Sequence, residues 1–214
     1  MKNSYQQRIV LGSVLSLVCA IGLGIAAQQW WAKLSSRESY SFYGTVLNKP
    51  RPLPVFTLEG TEGYAIDNRH LQGHWTFLFM GFTHCASICP VTMAELAKMA
   101  HLMSQQPDLS RPTVVMITLD PKRDSLARMK DYVQSFNPQF LGARGSEEET
   151  HNLARFLGIA YTQVNSQVQK QANDYSIEHS GAIMLLNPRG ELVAFFTPPH
   201  HVDKLVNDYQ HLVK

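Results

Sequence analysis

The chain has almost no surplus of charge. Its 19 basic and 17 acidic residues come into balance once Lys2 and Arg8, the only charged side chains before residue 28, are set aside. A balanced remainder offers no electrostatic handle for nucleic acid. The sequence also lacks a glycine-rich phosphate loop, an H-E-x-x-H pair and a serine nucleophile elbow. Their absence removes phosphate-cradling, zinc-protease and esterase-type chemistries. There is no internal repeat and no low-complexity tract. With 44% hydrophobic and 17% charged residues, the composition is that of a globular protein rather than a disordered one. A length of 214 residues suits one domain with an appendage.

The appendage is N-terminal. Ile9 to Ala27, "IVLGSVLSLVCAIGLGIAA", carries no charge and has about the length that crosses a bilayer core of roughly 30 Å. Trp30 and Trp31 follow in the manner of interfacial aromatics. Lys2 and Arg8 ahead of the span favour an N-terminus inside, while Lys33 and Arg37 beyond it count against that orientation. The expectation is a cytoplasmic segment 1–8, a transmembrane helix over 9–27, a linker over 28–50 and a main domain over 51–214. A cleaved signal peptide is the rival reading of 9–27. Gly24-Ile25-Ala26 offers a small-residue cleavage site, although the apolar core exceeds the usual length of roughly 7–15 residues. Either reading sends the main domain across a membrane. Cys19 lies in the span, and "SLVC" lacks the small residue that a lipid-bearing cysteine would want before it; Cys19 reads as a plain apolar residue.

In the main domain, "NKPRPLP" excludes regular helix, and "VFTLEGTEGYAI" reads as a hairpin turning at Gly60 and Gly63. Trp75 to Phe82 is a continuous apolar run, the signature of a central strand covered on both faces. A helix from Pro90 to Ser104 follows, with Met93, Leu96, Ala97, Ala100 and Met103 on one side; the methionines read as core filling rather than copper ligands. "TVVMITLD" is a second buried strand, and Asp124 can cap a helix running to Phe136. A short helix over 147–157 begins with Glu147, Glu148 and Glu149 near its positive end. Ile159 to Val164 alternates like a strand, and 167–173 is a polar excursion. "AIMLLNPRGELVAFF" is a hairpin turning over Asn187 to Gly190, and a helix over 202–213 closes the chain. Strands separated by helices pair in parallel, and the terminal hairpin adds an antiparallel part. The expected fold is α/β: a mixed central sheet flanked by helices.

Cys85 and Cys89 form a C-x-x-x-C pair between the first apolar strand and its helix. That is where open α/β sheets place their sites, and a helix N-terminus favours the thiolate. This spacing brings the sulfurs to one side, close enough to share an ion or to form a disulfide. The extra residue relative to C-x-x-C makes a shared soft metal more plausible without forbidding thiol exchange. A purely stabilising disulfide would close only a small loop. Soft sulfur favours Cu(I), and an added imidazole admits Cu(II). Nine histidines are available. His179 stands just before an apolar strand and reads, from the residues alone, either as a ligand or as a plain loop histidine. His84 adjoins Cys85 and is at most a neighbour of the site; His200 and His201 read as exposed turn residues.

Taken together these segments resemble the Sco/SenC family, thioredoxin-fold copper chaperones of cytochrome c oxidase assembly. "FMGFTHCASICPVTMAEL" is similar to that family's G-[YF]-T-H-C-P-x-x-C-P segment, "ITLDPKRD" to its D-P-x-R-D turn, and "DYSIEHSGAIMLLNPRGELV" to its Y-x-[VI]-[DE]-H-[ST] segment and following hairpin. The likeness runs over about residues 50–213, and an N-terminal anchor is also typical. It implies a thioredoxin-like fold and copper held by Cys85, Cys89 and His179, with Cys85 and Cys89 also able to form a redox disulfide. It implies delivery of copper to, or reduction of, the binuclear copper site of cytochrome c oxidase subunit II. An upstream copper donor and a thioredoxin-like reductant would be further partners, and the inner membrane facing the periplasm the location. Asp120 matches the D-P turn and would lie behind the ligands or serve the turn itself. Ala86 stands where the family usually has proline, and Ser87 where many members have aspartate, which touches affinity and redox poise rather than ligand identity.

Two enzyme readings compete: a membrane-anchored thiol-disulfide oxidoreductase and a thiol peroxidase. Thioredoxin-type oxidoreductases carry a proline just before the strand facing their cysteines, and Ser180-Gly181 holds none. A peroxidase would want an arginine beside its cysteine, and none lies within the cysteine segment. Both points favour copper.

Overall fold

The structure, a computed structural model, describes residues 20–31, 40–165 and 175–213. The chain divides into two units, 1–41 and 42–214. In the first, residues 20–31 are helical. Among the described residues no helix is long and apolar enough to cross a membrane, and residues 9–19 of the expected span lie outside them. The polar excursion 167–173 lies outside them as well.

The second unit runs β1 (Thr45–Pro52), β2 (Thr57–Gly60), β3 (Ala65–Asp67), β4 (Thr76–Gly81), α1 (Ile88–Ser104), β5 (Thr113–Thr118), α2 (Leu126–Phe136), β6 (Leu141–Arg144), α3 (Glu147–Leu157), β7 (Tyr161–Asn165), β8 (Tyr175–His179), β9 (Ile183–Leu186), β10 (Glu191–Phe196) and α4 (Val202–Leu212). Among the described residues, eight strands form one sheet in the order β1-β10-β9-β4-β5-β6-β2-β3, and β7 pairs with β8 in a separate two-stranded ribbon. β4, β5 and β6 are parallel. β9 runs antiparallel to β4, and β10 to β9. The sheet is therefore mixed, as the helix-separated strands and the terminal hairpin require.

All six residues of β4 are buried, which explains why it reads as an unbroken apolar run. Alternation along the strand divides its side chains between two cores. Phe77 and Phe79 pack with α1, α2 and α4 through Met93, Leu96, Met129, Val133, Leu205 and Tyr209. Leu78 and Met80 pack with α3 and the β2–β3 hairpin through Leu153, Leu157, Leu58 and Ile66. The helix methionines Met93, Met99 and Met103 are fully buried, so they fill the core as expected. Ala97 and Ala100 are only partly buried, and Met99 joins the buried face in their stead.

Several boundaries differ from expectation. β1 overlaps the stretch expected to be a linker; its prolines are tolerated because it is an edge strand, and its register shifts between Val46 and Arg51. α1 starts at Ile88, so Pro90 falls in the first turn, where no intrahelical amide bond is lost. Ser125, not Asp124, caps α2, its hydroxyl accepting from the Arg128 amide. α3 carries a full capping box between Ser146 and Glu149. The β9–β10 turn closes as expected, with Gly190 at φ 74° and its amide donating to the Asn187 carbonyl at 2.8 Å.

Candidate metal centre

β4 ends at Gly81, and the chain passes through Phe82 to Ser87 into α1. A Cβ on Gly81 would lie 3.0 Å from the Cys89 sulfur and 2.7 Å from the Phe79 ring. Only glycine leaves the space into which Cys89, fully buried in the first turn of α1, projects. Ser87 precedes the helix but makes no side-chain cap bond. Instead the Cys89 amide donates to the Cys85 sulfur at 3.4 Å, so a cysteine satisfies one of the orphan donors of the helix end. Cys85 itself is partly exposed.

His179 is the last residue of β8. Its Nδ1 lies 3.0 Å from the Ser180 carbonyl. A carbonyl only accepts, so Nδ1 carries the proton and the Nε2 lone pair is left to face the Cys89 sulfur, 3.2 Å away. Two aromatic rings pack the imidazole, Phe79 at 6.0 Å and Phe82 at 5.9 Å between centroids. The two sulfurs and one ring nitrogen all lie within 4.8 Å of one another. Among the described residues no other group of three histidine, cysteine or acidic side chains converges in this way.

The two thiols differ sharply. Hydrogen bonding from Cys89, helped by backbone amides and opposed by burial, draws the Cys85 thiol down to about 3. The same hydrogen bond, with burial, pushes the Cys89 thiol up. One proton is therefore shared by a thiolate and a thiol. Both cysteines are free. Cys85 opens onto a cleft of about 500 Å³ bordered by His84, Ala86, Ser87, Val164, Glu178 and His179, while Cys89 lies buried behind it. Two soft sulfurs and a preset imidazole, one sulfur reachable from solvent, can hold a soft ion without enclosing it.

The other candidates lie elsewhere. Asp120 makes no hydrogen bond to Cys85, Cys89 or His179 among the described residues. It is buried and accepts from the Tyr175 hydroxyl at 2.6 Å and from the Arg123 guanidinium. His84 borders the cleft and faces Asp124 rather than the sulfurs. His201 is exposed as expected. His200 is not: it is partly buried, and its Nε2 donates to the Gly181 carbonyl at 2.9 Å, beside the segment that presents His179. Sequence reasoning gave no role to Arg123, Tyr175 or Phe82. One signal was available for Tyr175: Tyr175, Ile177 and His179 alternate in "YSIEH" as a strand with one packed face.

This fold and this site define a class: a thioredoxin-like α/β domain with a cysteine-cysteine-histidine cluster at the carboxyl end of its central strand. A family model described as SCO1/SenC matches residues 47–214. Protein SCO1 homolog 1, mitochondrial, of Arabidopsis thaliana is 34% identical over 154 residues, covering 71% of this chain and 44% of that protein. Protein SCO2 homolog, mitochondrial, of Mus musculus is 33% identical over 151 residues, covering 71% and 58%. The chain thus spans about half the length of these curated relatives. Among solved structures, Arabidopsis thaliana ScoI with copper bound matches with a TM-score of 0.68 at 30% identity, over 75% of this chain and 97% of that one. Yeast Sco1 with copper bound matches with a TM-score of 0.68 at 26% identity, over 77% and 89%. The chain belongs to the SCO1/SenC family.

Proposed function

We propose that this protein is a membrane-anchored copper metallochaperone that binds copper, as Cu(I) and as Cu(II), through Cys85, Cys89 and His179. It delivers the ion to, or reduces, the binuclear copper site of cytochrome c oxidase subunit II. The observation that carries this reading is the convergence of three donor atoms within 4.8 Å, two from the strand–helix junction and one from the separate β7–β8 ribbon. Copper-bound relatives with the same fold support it. The chemistry suits a cargo that must leave. Three donors leave an open coordination position through which an acceptor's ligands can enter, and Cys85 is reachable from the cleft.

Residues 9–27 serve as the anchor in this reading, with 1–8 in the cytoplasm and the main domain in the periplasm. Tethering raises the effective concentration of the donor beside a membrane-bound target. In an oxidising compartment Cys85 and Cys89 form a disulfide and must be reduced before loading. A thioredoxin-like reductant and an upstream copper donor therefore complete the cycle. A second reading, thiol-disulfide oxidoreductase, draws support from the thiolate character of Cys85.

The test uses the full chain in mild detergent, fully reduced. Cu(I) is titrated against a competing chelator, and Cu(II) by its sulfur-to-copper charge-transfer absorption. One copper per chain is expected. Cys85→Ser and Cys89→Ser should each abolish tight binding, and His179→Ala should chiefly weaken Cu(II). Parent-like binding by all three variants would refute the assignment. Copper-independent turnover of a disulfide substrate would promote the oxidoreductase reading.

A further inference from the structure

Among the described residues, no strand pairing connects the elements that carry the two groups of donors: the β7–β8 ribbon, which ends in His179, has no ladder with the main sheet, whereas Cys85 and Cys89 follow its central strand. The turn after β5, Asp120-Pro121-Lys122-Arg123-Asp124, is bonded to both.

The turn is closed on itself: the Arg123 and Asp124 amides both donate to the Asp120 carbonyl, at 3.2 and 3.0 Å. Asp124 is fully buried and reaches toward the cysteine segment. It accepts from the Thr83 amide at 3.0 Å and the Thr83 hydroxyl at 2.5 Å, two residues before Cys85. It also accepts from the Thr118 hydroxyl at 2.6 Å. Thr118 in turn accepts from the Asp120 amide at 2.9 Å, joining the two ends of the turn through one side chain.

Asp120 and Arg123 reach the other way. Asp120 accepts from the Tyr175 hydroxyl. Arg123 donates to the Tyr175 carbonyl at 2.8 Å, and its guanidinium lies 3.6 Å from the centre of the Tyr175 ring. Arg123 also lies 6.0 Å from the ring of Phe82, which packs edge-on against His179. Tyr175 and His179 are the two ends of β8. Four residues apart in a strand, they project to the same face, so seizing Tyr175 fixes both the register and the facing of His179. Burial and the bond to Asp120 push the Tyr175 phenol up to about 12, so the hydroxyl stays protonated and remains a donor.

We infer that the turn Asp120–Asp124 is the gauge of this site: it sets the distance between the thiol pair and the imidazole, through two separable arms. Asp124 with Thr83 positions the cysteine segment, and Asp120 with Arg123 positions the ribbon through Tyr175. None of these side chains donates to the metal; all are positioning residues. As a device for copper, the gauge rests on the copper reading; as a device for geometry it can be tested without metal.

The first experiment is hydrogen–deuterium exchange on the full chain in detergent, reduced and metal-free. Tyr175→Phe removes the bond to Asp120 and keeps the ring. It should speed amide exchange over 176–180 at least tenfold and leave 84–89 unchanged. Thr83→Val, which removes the hydroxyl bond to Asp124, should do the reverse. Arg123→Lys keeps the charge but loses the fork, and should behave like Tyr175→Phe. The second experiment is copper titration of the same variants. The ribbon-arm variants should lose at least tenfold in Cu(II) affinity, read from the charge-transfer band, and stay within threefold of the parent for Cu(I). Thr83→Val should weaken both ions. Parent-like exchange over 176–180 in both Tyr175→Phe and Arg123→Lys would overturn the gauge, whatever copper does. The expected exchange pattern in a parent that binds no copper would leave the gauge standing and sink the copper reading alone.

Discussion

Gly181 joins β8 to β9 at the position where thioredoxin-type oxidoreductases carry proline, and the reason for glycine here is steric. A Cβ at 181 would fall 2.3 Å from Ile88 Cδ1 and 3.0 Å from both Ile88 Cγ1 and Pro198 Cγ, where 3.4–4 Å is ordinary contact. Ile88 is the first residue of α1 and the chain neighbour of Cys89. Gly181→Ala therefore wedges the His179 strand away from the cysteine helix. Overpacking of this kind costs about 1–3 kcal/mol. Because the backbone at 181 is not in the left-handed region, alanine also restricts the unfolded chain and recovers about 0.4–1 kcal/mol. The net expectation is a loss of up to about 2.6 kcal/mol, or up to roughly 10 °C in Tm for a domain of this size. Ile88 Cδ1, the worst clash, ends a side chain that can be shortened. Ile88→Val alone should cost about 0.5–1.5 kcal/mol, yet combined with Gly181→Ala it should recover at least 0.5 kcal/mol relative to the sum of the single changes. The assay is thermal unfolding of the reduced, metal-free chain as a double-mutant cycle. Strict additivity in this cycle would show that close approach of the two segments is not what selects glycine.

Two further outcomes follow from the site and the core. With Cys85 drawn down to about 3 and Cys89 pushed up, a metal meets one thiolate and one thiol, and the Cys89 proton must leave as the ion enters. Apparent Cu(I) affinity should then rise about tenfold per pH unit between about pH 7 and 8, above the ordinary imidazole range. Calorimetry in buffers of different ionisation enthalpy should count one proton released per copper; two would mean that both thiols start protonated, none that both start ionised. The second outcome concerns Met93, Met99 and Met103, all fully buried on α1. Changing all three to leucine should leave copper stoichiometry at one per chain, because volume-conserving swaps cost less than about 1.5 kcal/mol each and no methionine is a ligand; a lost copper equivalent would contradict this.

The parts of the molecule legible in the sequence are those whose local pattern and tertiary fate agree. β4, β5 and the β9–β10 hairpin are apolar runs closed by strong turn residues and buried as such. The cysteine pair was legible because strand, loop and helix are consecutive in the chain. β6 is only four residues long and includes Gly142, too short to show a period. β7 was legible as a strand; nothing in its own residues says that, among the described residues, it pairs with β8 and not with the main sheet. Asp124 looked like a helix cap because aspartate before a helix usually is one. Its burial comes from Thr118, at the end of the strand just before it, and from Thr83, which only the packing of β4 against β5 brings near.

That last case shows why the imidazole was harder to read than the thiols. Cys85 and Cys89 are brought together by the geometry of one helix end, a local matter. His179 is brought to them on a ribbon that, among the described residues, shares no ladder with the main sheet; beyond the short link to Ile183 of β9, its placement rests on side chains: Tyr175 on Asp120 and Arg123, Ile177 in the core, and the ring between Phe79 and Phe82. A ligand held by a sheet would be fixed with the sheet's full cooperativity. One held by a few side-chain bonds, each contributing about 0.5–1.5 kcal/mol, can be displaced without unfolding the domain. In the copper-carrier reading proposed above, that would put the more readily displaced ligand on the ribbon and the buried thiol on the helix that follows the central strand.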